Sequence, residues 1–129
     1  MDQALVLLEE IGLRDPNNKN AETLGVGGAI YKRKWQQFGQ LEDLHESLSF
    51  YRAAFERNRQ QDMGYGGINA AFILDVLANR ARLIAQRSGT SLNEAKRLQK
   101  EATELRQQIA ELISTQLAED QNLDKENLF

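Results

Sequence analysis

The chain has no cysteine among its 129 residues. That removes disulfides, thiolate zinc sites, iron–sulfur clusters and a cysteine nucleophile together, and it suits a reducing, cytoplasmic compartment. Only one proline is present, Pro16, so the turn-rich punctuation of a β-protein is missing and few strands are expected. With His45 as the lone histidine, any catalytic triad or His-rich metal site would have to be built around that one residue. No run approaches the roughly 20 apolar residues that span a bilayer, and the Met1-Asp2-Gln3 start lacks a basic region, so neither a membrane span nor a signal peptide is expected. The net charge of −3 gives no electrostatic reason to expect nucleic acid as a partner. Lys32-Arg33-Lys34 and the trio Arg80, Arg82 and Arg87 read as solvated helix faces.

What is present is a globular balance, 41% hydrophobic and 27% charged residues. A chain of this length can bury a core as a single domain, residues 1–129, without staples.

Helical periodicity dominates the pattern. A first helix over about 2–13 takes Asp2 as N-cap and an apolar face through Ala4, Leu8 and Ile11. The turn formers from Asp15 to Asn20 end it. Leu24, Gly28, Tyr31, Trp35 and Phe38 then fall on one stripe of a second helix. Gly25, Gly27 and Gly28 weaken that helix by about 1 kcal/mol each relative to Ala, which predicts close approach of a neighbouring backbone there. Gly39 stops it, and Leu41, Leu44, Leu48, Tyr51 and Phe55 begin another stripe at once. So short a connection makes an antiparallel hairpin over about 22–59. The aromatic residues Tyr31, Trp35, Phe38, Tyr51 and Phe55 read as core rather than as a ligand cage.

A second hairpin is expected over about 66–118. Gly64 reads as loop, Gly66 and Gly67 either extend that loop or open the following helix, and the nearly all-apolar run Ile68 to Ala78 reads as a helix buried at the centre. Ser91-Leu92-Asn93-Glu94 has the form of a capping box. Beyond it Ala95, Leu98, Ala102, Leu105, Ile109 and Leu112 repeat as a heptad-like seam. That seam either covers the preceding hairpin or pairs with a second copy as a homodimer. An acidic tail, about 119–129, is expected to fray.

The fold class is therefore all-α, with about five helices in tetratricopeptide-like antiparallel hairpins and a long C-terminal helix. Chemistry is thin. The acids near His45, namely Glu42, Asp43 and Glu46, suit the start of a helix. Gly25-Val26-Gly27-Gly28 lacks the strand and the Lys-Ser/Thr of a phosphate loop. No catalytic or metal site and no cofactor is predicted, and the chain is read as not an enzyme. Asn69, polar in an apolar helix, either caps the turn before it or faces a groove and clasps a partner's main chain.

Ile30-Tyr31-Lys32-Arg33-Lys34-Trp35, Tyr51-Arg52-Ala53-Ala54-Phe55-Glu56 and Tyr65-Gly66-Gly67-Ile68-Asn69-Ala70-Ala71 resemble the tetratricopeptide-like TRAFs-binding domain. That domain belongs to the central regulatory region of apoptosis signal-regulating kinases and to bacterial multidomain proteins, of which the bacterial members look closer. The resemblance runs from about Asp15 to Ala78, with Gly66 standing where the family pattern has Pro. It implies a scaffold whose groove holds a protein or peptide partner, often beside an effector domain. Placed on the repeat pattern, Arg33 and Gln37 from the first hairpin and Phe72 and Asp75 from the second point into that groove.

Overall fold

A computed structural model describes residues 3–10 and 12–127, with side chains as far as 122. Asp2, Ile11, Leu128 and Phe129 lie outside the described residues, as do the side chains of Asp124 and Glu126. The elements in order are α1 (Gln3–Glu10), α2 (Ala21–Phe38), α3 (Leu41–Arg57), α4 (Arg59–Asp62), α5 (Tyr65–Ser88) and α6 (Asn93–Asn127). Among the described residues there is no strand, and the helix beyond the five expected is the single turn α4.

Local chemistry sets the helix ends. Asn20 Oδ1 accepts the Thr23 N–H at 3.0 Å and opens α2. Gly39, left-handed at φ +70°, closes it by donating its N–H to the Trp35 carbonyl at 2.7 Å. Since α3 starts at Leu41, the two helices must run antiparallel. Met63 and Gly64 are both left-handed, at φ +54° and +90°, and reverse the chain from α4 into α5. Gly89, at φ +66°, ends α5 in the same manner as Gly39 ends α2.

The helices stack in sequence: α2 packs on α3, α3 on α5, and α5 on α6, with α1 laid against α2. Leu44, Leu48, Tyr51 and Phe55 of α3 meet Ala70, Ala71, Ile73, Leu74 and Leu77 of α5, and Leu98, Ala102, Leu105 and Ile109 of α6 close the far side. Leu5, Leu13, Leu24, Tyr31 and Phe50 form a second cluster under α1. Each amphipathic stripe is buried by its neighbour, which is how hairpins too small for a core of their own become stable.

Four sequence expectations change. Phe38 is 69% exposed rather than core, because it is the last residue of α2, one turn beyond the stretch whose stripe packs on the core through Trp35. Of the two readings of Gly66 and Gly67, the helical one holds and the loop one falls, since both lie in the first turn of α5; a Cβ on Gly66 would fall 2.6 Å from the Tyr51 carbonyl oxygen. A Pro at position 66 would also lose the N–H that Asp62 accepts at 2.8 Å. The three glycines of α2 admit side chains rather than a backbone: Tyr65 at Gly25, Leu13 and Phe50 at Gly27, and Tyr51 at Gly28. The capping box does not form, since Ser91 Oγ accepts the Asn93 N–H at 3.1 Å while Glu94 turns forward to Arg97 at 2.6 Å.

The last helix runs through Asn127, past residue 118 where the sequence pattern weakens. Its 35 residues give a rod of about 52 Å at 1.5 Å per residue. Leu112 is its last partly buried apolar residue against the core; Ile113 and Leu117 are exposed at 44% and 56%.

Candidate functional site

The exposed face shared by α2 and α5 is built on Tyr65. Its ring lies against Gly25, where a Cβ would stand 3.4 Å away, and meets the Tyr51 ring edge-on with centroids 5.8 Å apart. Burial, reinforced by a hydrogen bond with Tyr65, holds the Tyr51 phenol well above its ordinary range. Tyr51 thus supports Tyr65 from within the core, and the Tyr65 ring lines a cavity of about 500 Å³ with Val26, Ala29 and Arg33.

One turn further along α5, Asn69 Nδ2 donates to the Tyr65 carbonyl at 2.9 Å. Its Oδ1 accepts from Lys32 Nζ of α2 at 3.3 Å, and the same ammonium sits 4.8 Å from the centre of the Phe72 ring. A hydrogen bond and a cation–π contact therefore tie α2 to α5 at a partly exposed position. Phe72, Val26, Tyr65 and Ile68 remain 46%, 44%, 55% and 56% exposed. Together they form an apolar surface crossed by the cations Lys32 and Arg33 and by the Asn69 amide.

Of the residues singled out by sequence, Arg33 lies in the cavity beside Tyr65, and Asn69 and Phe72 join through Lys32. Gln37 is exposed one turn beyond Arg33 and is not part of the cavity wall. Asp75 is turned away, ion-paired with Arg106 of α6. Three contributors escaped the sequence reading: Lys32, Val26 and Tyr65. The signal was available, since Gly25, Ala29 and Lys32 recur at helical spacing and Tyr65 stands one turn before Asn69.

His45 sits elsewhere, exposed on α3. Its acidic neighbours have other partners: Asp43 is buried and 3.7 Å from Lys34, and Glu46 is 3.2 Å from Arg14. The Arg14 guanidinium also donates to the Tyr31 hydroxyl at 2.7 Å, which locks the loop after α1 onto the first hairpin. Among the described residues no group of three or more His, Asp and Glu side chains could hold a metal ion, and no helix is long and apolar enough to cross a membrane.

The face just described is one of stacked antiparallel hairpins, the architecture of helical-repeat proteins that recognise other proteins. A family model described as Tetratricopeptide Repeats-Sensor matches residues 1–74, from α1 into the middle of α5. No curated protein and no solved structure matches the chain. With more than half of its 129 residues matched, and with the hairpin stacking that such repeats require, the chain belongs to the Tetratricopeptide Repeats-Sensor (TPR-S) family.

Proposed function

We propose that the chain is a binding module rather than a catalyst, and that the α2/α5 face holds a segment of a protein partner or of an adjacent effector domain. The observation that carries this reading is the set of four exposed apolar side chains, Val26, Tyr65, Ile68 and Phe72, interrupted by Lys32, Arg33 and Asn69. An exposed apolar patch rimmed by polar groups is the usual mark of an interaction surface. The cations and the amide give such a surface a means of selecting acidic or backbone groups in the bound segment. The word "sensor" in the family description and the resemblance to the TRAFs-binding domain both support a regulatory role in signalling.

Selection of displayed random peptides against the chain tests this. Enriched peptides are expected to carry apolar anchors with an acidic residue and to lose binding to the Phe72→Ser and Val26→Ser variants. Peptides that bind both variants as well as the parent, or no enrichment at all, would overturn the reading.

A second reading, self-association through α6, has its own support. The helix continues for some four turns after its last core residue, with Ile113 and Leu117 exposed on it. Sedimentation over a concentration series tests it, and a monomer throughout would remove it.

A further inference from the structure

On the side of the molecule away from the Tyr65 face, α3 and α6 stand apart, no Cα of one coming within 8 Å of the other. Between them lies a cleft of about 340 Å³ with α5 as its floor. Leu77, Ala81 and Ile84 make the floor, and Ile84 is 48% exposed there. The rim carries Arg52, Arg80 and Arg97. Glu101 answers Arg52 and Glu94 answers Arg97, whereas Arg80 has no ion pair among the described residues.

The far end of α6 has the complementary pattern. Ile113, Leu117 and Asp120 stand at i, i+4 and i+7, so they share one stripe of the helix, and all three are exposed, with Glu119 close by. Two apolar side chains followed by an acid match an apolar floor beside an unanswered arginine. The chain's own overhang cannot reach this cleft. Arg97 lines the cleft and Asp120 lies on the same unbroken helix, about 35 Å away at 1.5 Å per residue. An α6 overhang seated in the cleft therefore belongs to another molecule.

We propose that the overhang of α6 from a second copy of this chain seats in the α3–α5–α6 cleft, Ile113 and Leu117 on Leu77, Ala81 and Ile84, and Asp120 opposite Arg80. This rests on the self-association reading and specifies its interface. Reciprocal exchange of overhangs between two copies closes the assembly as a two-fold dimer, so it does not grow into a filament.

Sedimentation velocity and cysteine pairing on the full chain test the proposal. The parent is expected to dimerise, and Leu117→Asp to abolish the dimer without changing the circular dichroism, because Leu117 is not part of the core. Arg80→Glu is expected to weaken dimerisation about tenfold, since each dimer holds two such pairs, and Arg80→Glu with Asp120→Arg to restore it. The absence of native cysteine makes trapping clean: Ile84→Cys and Leu117→Cys, prepared separately and mixed, should form a disulfide between the two variants. A dimer indifferent to Arg80→Glu that yields no mixed disulfide overturns the seat while leaving self-association standing. A parent that stays monomeric overturns both.

Discussion

The Tyr51 ring lies 2.8 Å from the point where a Cβ on Gly28 would be. At the same position of α2 the Gly28 carbonyl accepts the buried Ser47 hydroxyl at 2.7 Å. Two consecutive turns on one face of α3 thus press on one residue, and only a hydrogen in place of a side chain leaves room for both. Gly28→Ala is expected to destabilise the chain by about 1–3 kcal/mol through overpacking, against a helix-propensity gain of about 1 kcal/mol. Gly25→Ala is the control: its Cβ would meet only the half-exposed Tyr65 ring, at 3.4 Å. It should be neutral or stabilising. Urea unfolding of both variants checks the contrast, and equal effects would show that Tyr51 yields more easily than its burial implies.

Asp62 caps α5 from a buried position, accepting the Gly66 N–H at 2.8 Å and the Gly67 N–H at 3.3 Å. Burial pushes its carboxyl above the ordinary value of 3.8, and the N–H groups of Gly66, Gly67 and Gly64 draw it only part of the way back. The folded chain therefore keeps this proton where the unfolded chain has lost it. Relative to Asp62→Asn, the parent should lose stability as pH rises from 3.8 through the raised folded value, and the difference should be flat above it. Asp62→Ala, which strands two N–H groups, should cost about 1–3 kcal/mol at neutral pH. Unfolding curves of parent and Asp62→Asn across this acid range decide the sign; a difference that grows in the parent's favour with pH would contradict it.

Periodicity read the packing well and the polar contacts poorly. Leu44, Leu48, Tyr51 and Phe55, and the seam Ala95 to Ile109, are buried as their spacing requires, because a stripe at helical period has only one way to leave water. Phe38 obeys the same period and is exposed, since period says nothing about whether a neighbour extends that far. Asp75 lies in an apolar helix, yet its partner, Arg106, is a surface residue of another helix that no local pattern links to it. Glu94 had the spacing of a capping box but found Arg97 within a turn, and a charged donor outcompetes a backbone amide. The Lys32–Asn69–Phe72 junction was half hidden for the same reason: Asn69 and Phe72 stood out on their own helix, but Lys32, which joins them from α2, looked like part of a solvated face.

Phe72 and Leu74 are two residues apart on α5 and should respond in opposite ways. Phe72 is 46% exposed and Leu74 fully buried. Phe72→Ser is expected to cost about 1 kcal/mol of folding stability, chiefly the Lys32 cation–π contact, while abolishing binding of selected peptides. Leu74→Ala should cost about 2–5 kcal/mol and, where still folded, leave peptide affinity nearly unchanged. Unfolding and peptide titration on the same preparations separate the two, and a large stability loss in Phe72→Ser would mean that its ring supports the fold rather than a partner.

The Arg52–Glu101 bridge joins α3 to α6 across the cleft, with Nε and Nη2 both donating to one carboxylate oxygen at 2.9 and 2.6 Å. Both side chains remain about one-third exposed, so solvent screens much of the attraction. A double-mutant cycle through Arg52→Ala and Glu101→Ala should give a coupling of about 0.5–1 kcal/mol that shrinks as salt is raised. A coupling that persists at high salt would mean the pair is held by geometry rather than charge.

The outer part of α6 should be dispensable for folding of the monomer. Its core contacts end at Leu112, so a chain truncated after residue 114 keeps Ala95, Leu98, Ala102, Leu105 and Ile109 in place. An uncovered helix in water gains little from its own hydrogen bonds, because most helical stability in proteins comes from packing. The midpoint and slope of urea unfolding should therefore match those of the full chain at concentrations low enough to suppress association. At higher concentration the two should part, with the full chain gaining stability by mass action and the truncated one not. Truncation after residue 104, which removes Leu105 from the core and Ile109 from against Gly64 and Gly67, is expected to unfold α5 and α6 together. A midpoint shift from the shorter truncation alone, at low concentration, would show that the overhang stabilises its own chain.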